Sequence, residues 1–287
     1  MSDQKIDEET GVETTGHSWD GIQELNNPLP RWWLWTLYLS IIWAIGYTVY
    51  YPAWPLVTGA TAGISEWSTR NQVAEDIAAH QEQNAELVAA LVVADMETIA
   101  EDTSLNRYAI ARGRSAFLAQ CSQCHGSGAA GAVGYPNLLD NDWLWGGSMN
   151  EIMHTVRHGV RNETDPDAHW SEMPAFGEIL TSEEISAAVE YVVSLSSTEY
   201  DTSLADTGAL LFSDNCAVCH GDNAQGDRDI GAPNLTDAIW LYGGDRASLT
   251  ETVEYARFGV MPAWGQRLSE EDVRSLSAYV HALGGGE

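Results

Sequence analysis

Four cysteines are the residues of this chain best suited to chemistry, and they sit in two matching settings: Cys121-Ser122-Gln123-Cys124-His125 and Cys216-Ala217-Val218-Cys219-His220. In a Cys-x-x-Cys-His run at the end of a helix, two thiols three residues apart can reach the two vinyl groups on one edge of a porphyrin. The next histidine then lies beneath the iron. Thioether links retain a haem that packing alone could lose from a domain of under about 100 residues. Two other chemistries use Cys-x-x-Cys. A redox dithiol belongs in a βαβ setting, which is missing here. A four-sulfur zinc site needs its pairs to converge, yet 95 residues separate these, and each ends in His. Four cysteines are also too few for a disulfide scaffold. The motifs read as two sites for covalent haem c, with Cys121, Cys124, Cys216 and Cys219 as attachment points and His125 and His220 as proximal ligands.

The sixth ligand is expected from a methionine further on. Met173 in Met-Pro-Ala-Phe-Gly answers Met261 in Met-Pro-Ala-Trp-Gly. A soft neutral thioether favours Fe(II) and raises the potential relative to a second histidine. At the first site His154, His158 and His169 lie near Met173 in sequence and compete with it, as do Met149 and Met153 more weakly. Arg157 and Arg257 are read as occupying the same place in each repeat, on a helix before the ligand loop. Each is a candidate partner for a haem propionate, since a guanidinium suits a carboxylate at a partly buried edge; a solvated surface arginine is the competing reading. Trp143 and Trp240 are expected to pack beside the haem or in the core.

These residues recur because the chain repeats itself from about residue 106. Gly113, Phe117, Cys121, Cys124 and His125 match Gly208, Phe212, Cys216, Cys219 and His220, each displaced by 95. Pro136-Asn137-Leu138 matches Pro233-Asn234-Leu235, and Gly146-Gly147 matches Gly243-Gly244. Helical stretches carrying Tyr191 and Tyr279 follow the methionine loops. The first half is longer mainly by twelve residues, Arg161 to Glu172. The expected domains are 106–199 and 200–287, each a small helical unit around its own haem.

Ahead of the repeats, Trp32 to Tyr51 run for twenty residues without a charge. As a helix this spans roughly 30 Å, the thickness of a bilayer core. Trp32, Trp33 and Trp35 at one end and Tyr47, Tyr50, Tyr51 and Trp54 at the other form aromatic belts. Pro52 and Pro55 end it. The run starts too late and is too long for a cleaved signal peptide. Residues 31–57 are therefore read as an anchor and 1–30, with seven carboxylates against Lys5, as a mobile acidic tail. Residues 58–105, where Val73, Ile77, Leu87, Leu91 and Ile99 recur at near-helical spacing, are read as a connector of one or two amphipathic helices. Net charge is −29, from 13 basic and 42 acidic residues. Nucleic acid is excluded as a partner, and the charge suits either a basic protein partner or a salty habitat. Haem attachment to Cys-x-x-Cys-His requires reduced thiols outside the cytoplasm. The haem domains are thus expected in the periplasm and the tail in the cytoplasm, across a bacterial inner membrane.

Each half resembles a class I cytochrome c domain. From about residue 18 the chain resembles the dihaem subunit P (CcoP/FixP family) of cbb3-type cytochrome c oxidases. The resemblance rests on Asn27-Pro28-Leu29-Pro30-Arg31-Trp32-Trp33 entering the anchor and Tyr51-Pro52-Ala53-Trp54-Pro55 leaving it. It rests also on the Gly-x-x-x-Phe-x-x-x-Cys-x-x-Cys-His-Gly units from Gly113 and Gly208, and on both Met-Pro-Ala loops. It implies an all-α fold with one membrane helix and two tandem cytochrome c domains. It implies two haems c, with Met173 and Met261 opposite the proximal histidines. It implies electron relay, in aerobic respiration, from a donor cytochrome c to a monohaem cytochrome c subunit. From there electrons pass to the haem-copper catalytic subunit of a proton-pumping complex. With both irons six-coordinate, the chain is expected to perform no oxygen chemistry itself. The alternatives are a free-standing membrane-anchored carrier and a dihaem peroxidase-type enzyme, which needs a five-coordinate haem.

Overall fold

The computed structural model describes residues 5–287, so the first four residues of the expected tail lie outside the described residues. The chain divides into two compact units, Met1–Gln83 and Asn84–Glu287.

In the first unit, Thr14–Trp19 (β1) and Ile22–Leu25 (β2) form an antiparallel hairpin in which Trp19 pairs with Ile22. This corrects the expectation of a structureless tail. Asp20 and Gly21 both have positive φ, 51° and 85°, the geometry of an Asp-Gly hairpin turn. That turn signal was present in the sequence, beneath a high density of charge. Helix α1, Arg31–Tyr50, starts behind Pro30 and stops where Tyr51 turns extended. None of its side chains is buried, and it is long and apolar enough to cross a membrane. Pro55–Leu56 (β3) and Gly59–Ala60 (β4) form a minimal second hairpin. Exposed α2, Thr69–Gln83, closes the unit.

The second unit is helical. It begins with α3 (Ala85–Val93) and α4 (Met96–Glu101). The connector thus holds three helices rather than one or two, and its second part belongs to a core. Leu91, Met96 and Ile99 are fully buried with Leu105, Ala109 and Ala278. The repeats supply α5 (Thr103–Gln120), α6 (Ser122–His125), α7 (Met149–His158) and α8 (Ser182–Ser194), then α9 (Thr202–Asn215), α10 (Ala217–His220), α11 (Arg246–Tyr255) and α12 (Glu270–His281). Their starts are capped alike. Asp102 accepts from the backbone N–H groups of Ser104 and Leu105, and Asp201 from those of Ser203 and Leu204.

The repeats do not pack as self-contained domains. Helix α5 lies along α12, the last helix of the second repeat, while α9 lies along α8, the last helix of the first. One core joins Phe117, Ile152 and Val156 to Val273, Leu276 and Val280; the other joins Phe212 and Leu249 to Ile185, Val189 and Val192. The boundaries 106–199 and 200–287 thus mark sequence repeats, and each packing unit draws its closing helix from the other repeat. Chain connectivity gives the reason. Only residues 195–201 separate α8 from α9, and so short a link favours an antiparallel helix pair. Helix α8 is thereby used by the second repeat, leaving α12 to complete the first. Gly113 and Gly208 make the two contacts possible: a Cβ at Gly113 would collide with the Ser275 carbonyl, and one at Gly208 with that of Ala187.

Candidate haem sites

Each Cys-x-x-Cys-His run is built the same way. Cys121 and Cys216 terminate α5 and α9, and a single further turn carries the second cysteine and the histidine. Gly126 and Gly221 then leave the turn at φ 78° and 77°. All four cysteines are free. Burial pushes the Cys121 thiol up to about 11, helped by its neighbour Cys124, and raises Cys216 for the same reasons. The histidine rings are held from behind: His125 Nδ1 lies 3.0 Å from the Pro136 carbonyl and His220 Nδ1 lies 3.1 Å from that of Pro233. Burial lowers both imidazole pKa values. Each ring is thus neutral, donates through Nδ1–H and leaves Nε2 available to a metal.

The methionine loops reach these motifs crosswise. A cavity of about 500 Å³ is lined by Cys216, Cys219 and His220 from the second repeat and by Met173, Pro174 and Phe176 from the first. Met261 packs with Cys121, Phe117 and Trp143 against the other core. Backbone bonds fix it there: Met261 N–H donates to the Val160 carbonyl (2.9 Å) and Val160 N–H to the Met261 carbonyl (3.1 Å). The sequence reading paired each methionine with the motif of its own repeat; the structure brings it to the motif of the other. Met153 also touches the Phe117 core, but on the side shared with α3 and α4, where Met149 lies. His154, His158 and His169 gather beside one another, outside the residues lining the cavity.

The arginines separate. Arg257 lines the cavity, donating to the Ser248 carbonyl and Thr252 Oγ1 with its guanidinium 4.9 Å from the Tyr242 ring centroid. Arg157 is not among the residues lining that cavity; it pairs with Glu270 at 2.5 Å, as Arg257 pairs with Glu251 at 2.9 Å. Its counterpart in the second repeat is Glu254, not Arg257, because Gly265 packs on Arg157 as Gly177 packs on Glu254. Sequence reasoning missed Arg161, which lines the cavity and donates to the Ser171 and Gly259 carbonyls. Its position in the insertion, without a match in the other repeat, hid it. Trp143 donates to the Gly285 carbonyl at 2.5 Å, and Trp240 lines the cavity.

The cavity fits a haem by the chemistry of its walls: two thiols, an imidazole, a thioether, and arginines among apolar side chains. An apolar membrane helix followed by duplicated haem-attachment helices defines a membrane-anchored c-type cytochrome of the all-α class. The family profile for the N-terminal domain of cytochrome oxidase-cbb3, FixP, matches residues 11–58. That for cytochrome c oxidase, cbb3-type, subunit III, matches 109–192 and 203–280. A cbb3-type cytochrome c oxidase subunit CcoP of Cereibacter sphaeroides is 60% identical over 96% of this chain and 95% of its own. FixP subunits of Sinorhizobium medicae and Azorhizobium caulinodans are 49% and 50% identical, each over 98% of this chain and over 98% and 96% of their own. The chain belongs to the CcoP/FixP family of cbb3-type cytochrome c oxidase subunits. It is an electron-transfer subunit of that oxidase.

Proposed function

We propose that this chain holds two haems c and relays electrons between a donor cytochrome c and the monohaem and haem-copper subunits of its oxidase. The carrying observation is that Met173 lines one cavity with Cys216, Cys219 and His220. Cys216 and Cys219 attach the second haem, and His220 and Met173 hold its iron; Cys121 and Cys124 attach the first, with His125 and Met261 on its iron. When bound, haem c supplies a one-electron Fe(III)/Fe(II) couple. The residues of the chain do the rest. His125 and His220 are oriented by the Pro136 and Pro233 carbonyls, while burial favours the neutral ring. Met173 and Met261 would hold the irons together with the histidines, and on this reading the chain passes electrons on and leaves oxygen reduction to the catalytic subunit. Arg257 and Arg161 present donors to propionates. Trp143 and Trp240 shield the edges. The crossed arrangement brings both sites into one compact helical unit, which suits outer-sphere transfer between them. Because thiols are loaded with haem outside the cytoplasm, the helical unit is periplasmic and the N-terminus cytoplasmic, with α1 spanning the inner membrane.

Extraction from native membrane in mild detergent tests this reading. Co-purification of b-type haem and oxygen uptake with two c-type haems per chain is expected. Two c-type haems alone, with no oxygen uptake, would overturn it in favour of a free-standing carrier.

A further inference from the structure

The twelve residues present in the first repeat alone, Arg161 to Glu172, do more than lengthen a loop. They fold back along α7 and bring Asp165, Asp167 and His169 up to His154 and His158. Three of the chain's eight histidines thus converge: the rings of His154 and His158 lie 4.7 Å apart and those of His154 and His169 4.6 Å. His158 Nδ1 is 3.1 and 3.2 Å from the two carboxylate oxygens of Asp165. Donor atoms of His158, Asp165 and Asp167 all lie within 4.8 Å of one another. His154 Nε2 stands 3.1 Å from the Asp167 carbonyl. None of these side chains is among those lining the cavity at Cys216 and His220.

We infer that His158, Asp165 and Asp167, with His154 alongside, form a binding site for a first-row divalent metal ion of the zinc type. The donor set selects the class. Calcium and magnesium favour oxygen ligands throughout, whereas mixed imidazole and carboxylate donors suit zinc. Bonds of about 2.1 Å in a tetrahedron set ligand atoms about 3.4 Å apart, so the cluster must tighten slightly. Asp167 is exposed and can make that movement, and a water can complete the tetrahedron. The ion would fasten the insertion to the end of α7. That segment clasps the Met261 loop through the Val160–Met261 bonds, and Gln266 Nε2 donates to the Thr164 carbonyl at 2.9 Å. A metal here would therefore stiffen the loop that carries Met261. A plain His158–Asp165 ion pair is the competing explanation.

Equilibrium binding of Zn2+ to the chelator-stripped, haem-loaded full chain tests the site. One zinc per chain is expected beyond the haem iron, at least tenfold weaker in His158→Ala and in Asp167→Asn, and undisturbed by equal Ca2+ or Mg2+. Zinc should also slow amide exchange across 158–169. The exposed Asp167→Asn change serves as the folding control through unaltered haem absorbance. Equal zinc binding by the native chain and both variants would overturn the site. So would displacement by equal Ca2+, which would mark diffuse binding to an acidic surface.

Discussion

His125 and His220 spend one ring nitrogen on a proline carbonyl and keep the other free, so the motif and its backing carbonyl act together. The choice of sixth ligand is made at the same scale, and crossing gives it a direct test. Met261→His should lower the potential of the haem joined to Cys121 and Cys124 by more than about 60 mV, beyond a tenfold change in the one-electron equilibrium. The shift should survive in a chain whose Cys216 and Cys219 are both serine. A potentiometric titration in which that background abolishes the shift would rule out crossed ligation. Glu190 offers a residue-scale prediction about stability. Its carboxylate, 9% exposed, accepts from Arg246 Nε and Nη2 at 2.8 and 2.7 Å and from Asp201 N–H at 2.6 Å. The hydrogen bond from Arg246, first among the causes, holds its pKa below 4.5. A depressed carboxylate contributes stability above its unfolded pKa and loses it as pH falls through the folded value. Glu190→Gln should therefore cost about 1–2 kcal/mol near neutral pH, allowing for the half-exposed Arg246. The cost should shrink as pH falls below 4.5 and through the lowered folded value, as denaturant titrations at several pH values will show.

At the scale of elements, the close approaches of α5 to α12 and of α9 to α8 depend on a hydrogen atom where other residues carry a methyl group. Gly208→Ala should force α8 and α9 apart and destabilise the helical unit by about 1–3 kcal/mol. Met173 reaches its site on the segment leading into α8, so occupancy of the second haem site should fall with it. Pyridine haemochrome content of the purified variant measures this; full occupancy with unchanged melting would show that the contact is dispensable. The same scale explains why repeat matching misled on the arginines. Helices α7 and α11 correspond turn for turn, and Gly265 on Arg157 and Gly177 on Glu254 mark those two residues as equivalent. The similar look of Arg157 and Arg257 in sequence reflects spacing along the chain and not position around the site.

For the helical unit as a whole, exchange of closing helices makes the two repeats mutually dependent. A protease site inserted at Thr198–Tyr200, which are exposed, should allow cutting without separation. The pieces should then migrate together and retain both haem spectra, and neither repeat expressed alone should fold around its haem. Independent folding of 200–287 with native absorbance would refute the exchange.

Much of this was readable in the residues. Cys-x-x-Cys-His is local covalent chemistry, a twenty-residue uncharged run is a length matched to a bilayer, and duplication is visible as shared offsets. These properties belong to single segments, so no folded context is needed to see them. The Asp20–Gly21 hairpin was equally local and was passed over beneath the charge around it. What belongs to pairs of segments could not be read this way. Which methionine reaches which haem motif, and Arg161 in a cavity wall shared with the second repeat, depend on α8 doubling back onto α9. A seven-residue link favours that choice, and burial of both cores completes it, because once α8 covers Phe212 and Leu249, α12 covers Phe117 and Ile152.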